Sequence, residues 1–115
     1  MTRKIILIVS TDTLGAALLG GAVELAGSEP HYLRPDETPR VALRRTRPTA
    51  VLIDCGHPDA CAASFIGPAL MTGARVILFR TRGSDVVVPQ SVTALELPTL
   101  ELPQDADRLS IVLAG

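Results

Sequence analysis

The sequence predicts an α/β domain in which helices cover both faces of a parallel β-sheet. The aliphatic runs Lys4–Val9 and Ala50–Ile53 are nearly continuous, which is typical of strands that are buried on both faces. Such runs alternate along the chain with stretches whose apolar residues recur at helical spacing. The length of 115 residues and the apolar content of 47% suit one core rather than two. We therefore expect residues 1–115 to form a single domain.

The first half of the chain contains three predicted strands and two helices. A helix follows the first strand, begins with Asp12 or Thr13 as its cap and stops at Gly27. Its apolar residues recur at helical spacing; they are Leu14, Leu18, Leu19, Ala22, Val23 and Ala26. A weak second strand is expected at His31–Leu33. A short helix runs from the cap and first turn at Thr38-Pro39 to about Arg45, and the strand Ala50–Ile53 follows.

The second half begins with a helix from about Asp59 to Met71, in which Gly67-Pro68 should produce a kink or a shorter helix. The aliphatic strand Arg75–Phe79 comes next. The segment Ser84–Ser91 contains three consecutive valines and a proline, so we expect the fourth helix to be shortened or absent.

The chain ends with a predicted strand, Thr93–Leu97, and a last helix that starts at Gln104 or Asp105. The resulting order of elements implies a five-stranded parallel sheet covered on both faces, because parallel strands need right-handed crossovers. We therefore predict a flavodoxin-like, doubly wound three-layer sandwich.

Composition excludes several classes of function. A formal net charge of −1 gives no electrostatic basis for binding nucleic acid or a membrane surface, and 3% aromatic residues make a base-stacking platform unlikely. The run Ile5–Val9 is too short to span a bilayer, and we expect a cytoplasmic protein. The arginines of the second helix are interpreted as a solvated basic face rather than a phosphate site; they are Arg40, Arg44, Arg45 and Arg47.

The stretch Val51–Asp59 contains the most informative motif. Three apolar residues end on Asp54, and Pro58-Asp59 follow after a short gap. In an open α/β sheet, ligands and chemistry gather beyond the carboxyl ends of the strands, where Asp54 is expected to lie. Together with the approach Arg47–Ile53 and the spacing of strands and helices over nearly the whole chain, this motif resembles the receiver domains of two-component response regulators.

The resemblance implies phosphoryl transfer from a histidine kinase to Asp54, assisted by Mg²⁺. In that family an acidic pair follows the first strand, a hydroxyl residue follows the fourth, and a Lys precedes a Pro after the fifth. Charge that builds on the phosphoryl oxygens needs such a metal and such donors.

The sequence departs from the family at each of these supporting positions. Ser10-Thr11 stand in place of the acidic pair, with Asp12 one residue late. Arg80 stands at the hydroxyl position, with Thr81 one residue on, and Leu97 stands in place of the Lys. Neutral hydroxyls bind Mg²⁺ weakly and a leucine cannot pair with a phosphoryl oxygen. We therefore interpret the chain as a degenerate, atypical receiver in which phosphorylation is lost or impaired.

Two interpretations of Asp54 remain open. It is a phospho-acceptor supported by Asp12 and Thr81, with Asp12 and Asp54 as metal ligands and Mg²⁺ as cofactor. Alternatively it is a relic that caps the next turn or pairs with Arg80, and the chain needs no cofactor.

Other chemistry has weaker support. The alternation of Cys55, His57, Asp59 and Cys61 offers potential zinc ligands, but at no familiar spacing, and buried cysteines explain it more simply. Cys–His catalysis lacks an oxyanion hole. A dinucleotide site is discounted, because Gly15, Gly20 and Gly21 lie inside the first helix.

Three functions follow in order of preference. The first is a non-enzymatic receiver that signals by binding a protein partner, a histidine kinase or another signalling protein, or by forming a homodimer, without contacting DNA or membrane. The second is a phosphorylatable receiver, and the third is a ligand-binding or enzymatic flavodoxin-like domain. Val86–Val88 is either a partner surface or a segment that folds back on the core.

Overall fold

A computed structural model describes residues 3–114 of the chain. In chain order its elements are β1 (Ile5–Val9), α1 (Thr13–Leu25), β2 (Glu29–Tyr32), α2 (Pro39–Thr46), β3 (Ala50–Asp54), α3 (Ala63–Met71), β4 (Arg75–Thr81), α4 (Gln90–Thr93), β5 (Thr99–Leu102) and α5 (Leu109–Ala114), the last preceded by a 3-10 turn (Ala106–Arg108). The five strands form one parallel sheet in the order β2-β1-β3-β4-β5. The predicted flavodoxin-like sandwich is confirmed.

The sheet separates two apolar layers. Alternate residues of β3 point to opposite faces, so Val51 and Ile53 join one layer while Ala50 and Leu52 join the other. The first layer also takes Phe65 of α3 and the second takes residues from α1 and α5. The first four residues of β3 are buried, and the last, Asp54, is partly exposed at the carboxyl edge of the sheet.

α1 begins where the sequence predicts, but only part of its apolar set is buried. Asp12 is the N-cap, and Leu19 and Val23 are fully buried. Leu14 and Leu18, which belong to the same apolar set, are exposed. Their spacing fits a helical stripe, but that stripe lies on the side of α1 turned away from the sheet. Periodicity alone does not distinguish the two sides when both are apolar.

The last strand was wrongly predicted. Thr93–Leu97 is not a strand; α4 ends at Thr93 and β5 begins only at Thr99. The backbone of Glu96 has a positive φ of 52°, which breaks an extended conformation there. The missed signal is the alternation in Thr99–Leu102, where Leu100 and Leu102 are buried.

The shortened fourth helix is confirmed, since α4 has only four residues. Other boundaries also differ from those predicted: β4 extends to Thr81, and α5 begins at Leu109 rather than at Gln104 or Asp105. β2 occupies Glu29–Tyr32, at the edge of the sheet where Pro30 is tolerated, and α3 starts at Ala63 rather than Asp59. No helix within residues 3–114 is both long enough and apolar enough to span a bilayer.

The arginines of α2 do not all form a solvated face. Arg45 makes a bidentate ion pair with Glu37, with Nε–Oε2 and Nη2–Oε1 distances of 2.6 and 2.7 Å, and its Nη2 also donates to the carbonyl oxygen of Tyr32. The pair joins the loop after β2 to α2. Arg40, Arg44 and Arg47 are exposed, as predicted.

Candidate functional site

The site lies at the carboxyl edge of the sheet, where β3 ends on Asp54. Because side chains alternate along a strand, Asp54 shares its face of the sheet with Leu52. The register pairs Asp54 with Phe79 of β4, so Thr81 lies on that same face and Arg80 on the opposite one. The parallel register thereby brings the ends of β1, β3, β4 and β5 to one edge.

Neutral donors surround the Asp54 carboxylate. Oδ2 accepts hydrogen bonds from the Thr11 hydroxyl at 2.9 Å and the Thr11 amide at 3.2 Å, with the Ser10 hydroxyl at 3.5 Å. Oδ1 accepts from the Gly56 amide at 2.8 Å. Ser10 and Thr11, which stand in place of the acidic pair, therefore donate to Asp54. Through these bonds Asp54 connects the end of β1 to the turn after β3.

Asp12 is engaged elsewhere. Its Oδ1 and Oδ2 accept from the amides of Leu14 and Gly15, both at 3.2 Å, as an N-cap does. The Ser10 hydroxyl and the Asp12 backbone are also hydrogen-bonded to each other. The carboxylates of Asp12 and Asp54 thus serve two separate sets of backbone amides.

Arg80 does not pair with Asp54. Its Nη2 donates to the carbonyl oxygen of Ser84 at 2.9 Å, and within residues 3–114 Asp54 receives no hydrogen bond or salt bridge from Arg80 or Thr81. Neighbouring residues of a strand point to opposite faces of the sheet, so the Arg80 side chain lies on the face opposite to Asp54 and does not pair with it. Thr81, which shares the face of Asp54, is exposed.

The position after the fifth strand belongs to Leu102 rather than Leu97. Leu97 precedes β5, whereas Leu102 ends it, pairs in register with Thr81 and is followed by Pro103 through a cis peptide bond. Leu102 is buried in the second apolar layer. The position at which the resemblance implies a Lys is therefore still aliphatic, but it is occupied by Leu102 rather than by Leu97.

The Mg²⁺ that the resemblance implies does not fit these donors. Mg²⁺ demands an octahedral shell of hard oxygens and is usually held by one or two carboxylates with waters. Among residues 3–114, Asp54 is the one carboxylate that accepts hydrogen bonds from Ser10 and Thr11, and neutral hydroxyls and amides already occupy its oxygens. Among the described residues, no group of three or more His, Cys, Asp or Glu side chains is placed to hold a metal.

The valine segment closes over this edge. Val86 and Val88 pack against the first apolar layer, and Val87 points outward with 87% of its surface exposed. A Cγ atom of Val86 comes within 3.6 Å of the position that a Cβ on Gly56 would take. Two of the three valines therefore fold back on the core, and one of them covers the turn that holds Asp54. The sequence analysis offered burial and exposure as alternatives for the whole segment, whereas the structure divides the three valines between them.

Cys55 and Cys61 are part of the first apolar layer. Cys55 and Cys61 are both buried free thiols, and burial together with the neighbouring Cys61 raises the pKa of Cys55 to about 12. The His57 Nδ1 accepts a hydrogen bond from the Asp59 amide at 3.2 Å. Such protonated thiols are poor nucleophiles and poor zinc ligands.

A cleft of about 560 Å³ lies beside the site, between the loop after β2 and the start of α3. Asp54 does not line it. It is lined by Asp36, Glu37, Thr38, Pro39, Arg40, His57, Asp59, Ser64 and Phe65. The cleft is therefore separate from the strand-end acid on which the predicted chemistry rests.

Comparisons with known proteins establish the fold. No model of a known protein family matches the chain, and no curated protein matches it significantly. Solved structures do match. A CheY-like response-regulator receiver domain from Methylobacillus flagellatus superposes with a TM-score of 0.72 at 19% identity, covering 98% of both chains. The chain has the receiver-domain fold.

Two further structures share this receiver fold. A sensor protein from Polaromonas sp. JS666 gives a TM-score of 0.72 at 22% identity and covers 98% of this chain and 94% of its own. A response regulator from Thermotoga maritima gives 0.71 at 11% identity, over 99% and 100%. At these identities the similarity establishes the architecture, and the chemistry has to be argued from the residues of this receiver fold.

Proposed function

We propose that this chain is an atypical receiver that acts in two-component signalling through protein–protein contact, without phosphorylation of Asp54. The observation that carries the proposal is the engagement of both Asp54 oxygens by the Thr11 hydroxyl, the Thr11 amide and the Gly56 amide. Attack on a phosphoryl group would require Asp54 to give up donors that stabilise its charge, and no lysine or arginine among residues 3–114 is bonded to Asp54 to replace them.

Three further features support the same function. Asp12 caps α1, Arg80 is bonded to the Ser84 carbonyl oxygen, and Leu102 ends β5. None of these side chains supplies positive charge or a metal ligand at Asp54. A receiver of this kind would hold one conformation and be recognised in it by its partner, a histidine kinase or another signalling protein in the cytoplasm. Residues 1–115 would act as a single non-enzymatic domain.

Acetyl phosphate with Mg²⁺ tests the proposal directly. Intact mass spectrometry of the chain after incubation should find no phosphoryl adduct, and beryllofluoride with Mg²⁺ should leave its amide NMR spectrum unchanged. A matched variant restores the family's residues: Ser10→Asp, Thr11→Asp and Leu102→Lys together. If this variant folds and gains an adduct that Asp54→Asn abolishes, the restored positions are the missing ones.

The phosphorylatable receiver is the competing outcome. Stoichiometric phosphorylation of the unaltered chain that is lost in Asp54→Asn would overturn the proposal. Dependence of that adduct on Asp12 and Thr81 would then identify the supporting residues of the alternative, and Mg²⁺ would be its cofactor.

A further inference from the structure

A cavity of about 440 Å³ lies at the amino edge of the sheet, where the strands begin, opposite to the edge that carries Asp54. Backbone hydrogen bonds hold the starts of four neighbouring strands side by side there, in the order β2-β1-β3-β4. The residues at these four starts, which all line the cavity, are Ser28, Lys4, Thr49 and Arg75. The parallel sheet thereby gathers two cations and two hydroxyls at one place.

Positive charge dominates this cavity. Arg3 joins Lys4 and Arg75 in its lining, which among the described residues includes no Asp or Glu. The three salt bridges found within residues 3–114 involve none of these three cations. Glu29 follows Ser28 directly, but its carboxylate is hydrogen-bonded to His31. No acidic side chain described in the structure therefore pairs with the three cations.

Helix ends offset only part of this charge. α1 and α5 both contribute to the lining near their C-terminal ends, through Ala26 and Leu113. A helix C-terminus carries about half a negative charge, so the two ends together offset about one of the three positive charges. About two positive charges are left without a counterpart.

The Arg75 guanidinium is held in place beside the cavity. Its Nη1 donates to the carbonyl oxygens of Val112 and Leu113 at 3.0 and 3.3 Å. Within residues 3–114 its Nε and Nη2 make no hydrogen bond. These donors are free for a ligand, and a side chain that is already positioned loses less conformational entropy when a ligand binds.

Ser28 supplies an unpartnered hydroxyl. Its side chain is buried, with 8% of the residue exposed, yet Oγ makes no hydrogen bond within residues 3–114. Thr46, the other buried polar residue, donates its hydroxyl to the Ala42 carbonyl oxygen at 2.8 Å. Every fully enclosed side-chain oxygen or nitrogen in this part of the chain has a partner, so Ser28 Oγ must touch the open space of the cavity that it lines. A buried hydroxyl without a partner is normally costly, which points to a ligand as its acceptor.

We propose that this cavity binds the phosphate group of a small organic molecule. A phosphate monoester carries a charge of about −1.5 to −2 at pH 7 and presents acceptor oxygens to the Lys4, Arg75 and Ser28 donors. It balances the two remaining positive charges, whereas a carboxylate balances only one. The cavity volume lies in the range of small-molecule pockets and exceeds that of a lone phosphate. Ile6 and Ala50 give the lining an apolar part against which the organic group packs.

An NMR titration with phenyl phosphate at low ionic strength tests the site. Phenyl phosphate should shift the amide resonances of Ser28, Thr49 and Arg75 with a dissociation constant on the order of 1 mM. Inorganic phosphate lacks the apolar group and should bind at least about threefold more weakly. Phenol lacks the charge and should leave these resonances unshifted. Equal affinity for inorganic phosphate and phenyl phosphate would overturn the assignment of an organic ligand.

Variants separate this cavity from a general effect of charge. Lys4→Met, at an exposed position that the fold does not need, should weaken phenyl phosphate binding about five- to tenfold. Ser28→Ala should weaken it about threefold or more. Arg82→Met is the matched control, because it removes the same charge from an exposed position at the carboxyl edge and should leave binding unchanged. Circular dichroism verifies that each variant folds.

Two results would overturn the proposal. One is the absence of shifts at the three cavity amides with about 10 mM phenyl phosphate, which is tenfold above the expected dissociation constant. The other is equal weakening by Lys4→Met and Arg82→Met, since the anion would then respond only to the net charge of the chain. Neither result depends on whether Asp54, at the opposite edge of the sheet, is phosphorylated.

Discussion

The Thr11 hydroxyl donates to Asp54 Oδ2 at 2.9 Å, across 43 residues of sequence. This bond and the one from the Thr11 amide join the loop after β1 to the end of β3. They give the strand-end acid a structural role, because Asp54 holds these two distant segments together.

Thr11→Val should therefore destabilise the fold. It removes the hydroxyl donor to a partly exposed carboxylate and keeps the side-chain shape, so we expect a loss of about 1–2 kcal/mol in the free energy of unfolding. Urea denaturation measures it. Thr13→Val, at an exposed position of α1, is the matched control and should change stability by less than about 0.5 kcal/mol. Equal effects of the two variants would contradict the role assigned to Thr11.

Asp12→Ala should weaken the start of α1. The variant leaves the amides of Leu14 and Gly15 without their acceptor, which typically costs about 1 kcal/mol. Asp12→Asn retains a capping oxygen and should lose much less. Hydrogen exchange at the two amides locates the effect: protection should fall in the alanine variant alone. Unchanged exchange there would mean that Asp12 does not act as the cap.

Sequence predicted the sheet, its helices and the position of Asp54, because these depend on local patterns such as the aliphatic runs of β1 and β3. It did not predict what Asp54 contacts. The Thr11–Asp54 bonds and the turn of Arg80 towards Ser84 depend on how loops from distant parts of the chain meet. Leu97 was predicted at the position that Leu102 occupies because the fifth strand was placed too early in the sequence.

The Glu37–Arg45 pair predicts a response to acid. The hydrogen bonds from Arg45, then the Arg34 amide, lower the pKa of Glu37 to about 2 from an ordinary value of 4.5. Because the folded pKa is lowered, the pair stabilises the fold above pH 4.5, and this contribution is lost as the pH falls from about 4.5 to 2. In Arg45→Met the NMR titration midpoint of Glu37 should move up towards 4.5. Arg44→Met, at an exposed position, should leave it unchanged.

The buried Cys55 thiol predicts a response to alkali. Burial raises its pKa to about 12, whereas an unfolded thiol has an ordinary value of 9.0. The unfolded chain therefore releases this proton first, and the fold loses stability as the pH rises from about 9 to 12, by up to about 1.4 kcal/mol per pH unit. Urea denaturation at several alkaline pH values gives the free energy of unfolding at each pH. This free energy should fall less steeply with pH for Cys55→Ala than for the unaltered chain. An equally steep fall in both chains would mean that the Cys55 thiol does not cause the loss of stability at high pH.

The Tyr32 hydroxyl occupies the space that a side chain on Gly20 of α1 would need. Alanine normally stabilises a helix interior by about 1 kcal/mol over glycine, but here its methyl group must displace the tyrosine. Gly20→Ala should therefore destabilise the unaltered chain, and it should be neutral or stabilising in a Tyr32→Phe background, which lacks the hydroxyl. The neighbouring Gly21 has open space at its Cβ position, so Gly21→Ala should stabilise both backgrounds equally by about 1 kcal/mol. Urea denaturation of the four combinations of Gly20 and Tyr32, at concentrations where the chain is monomeric, gives the coupling energy. A coupling energy of zero would mean that the Tyr32 hydroxyl does not restrict Gly20.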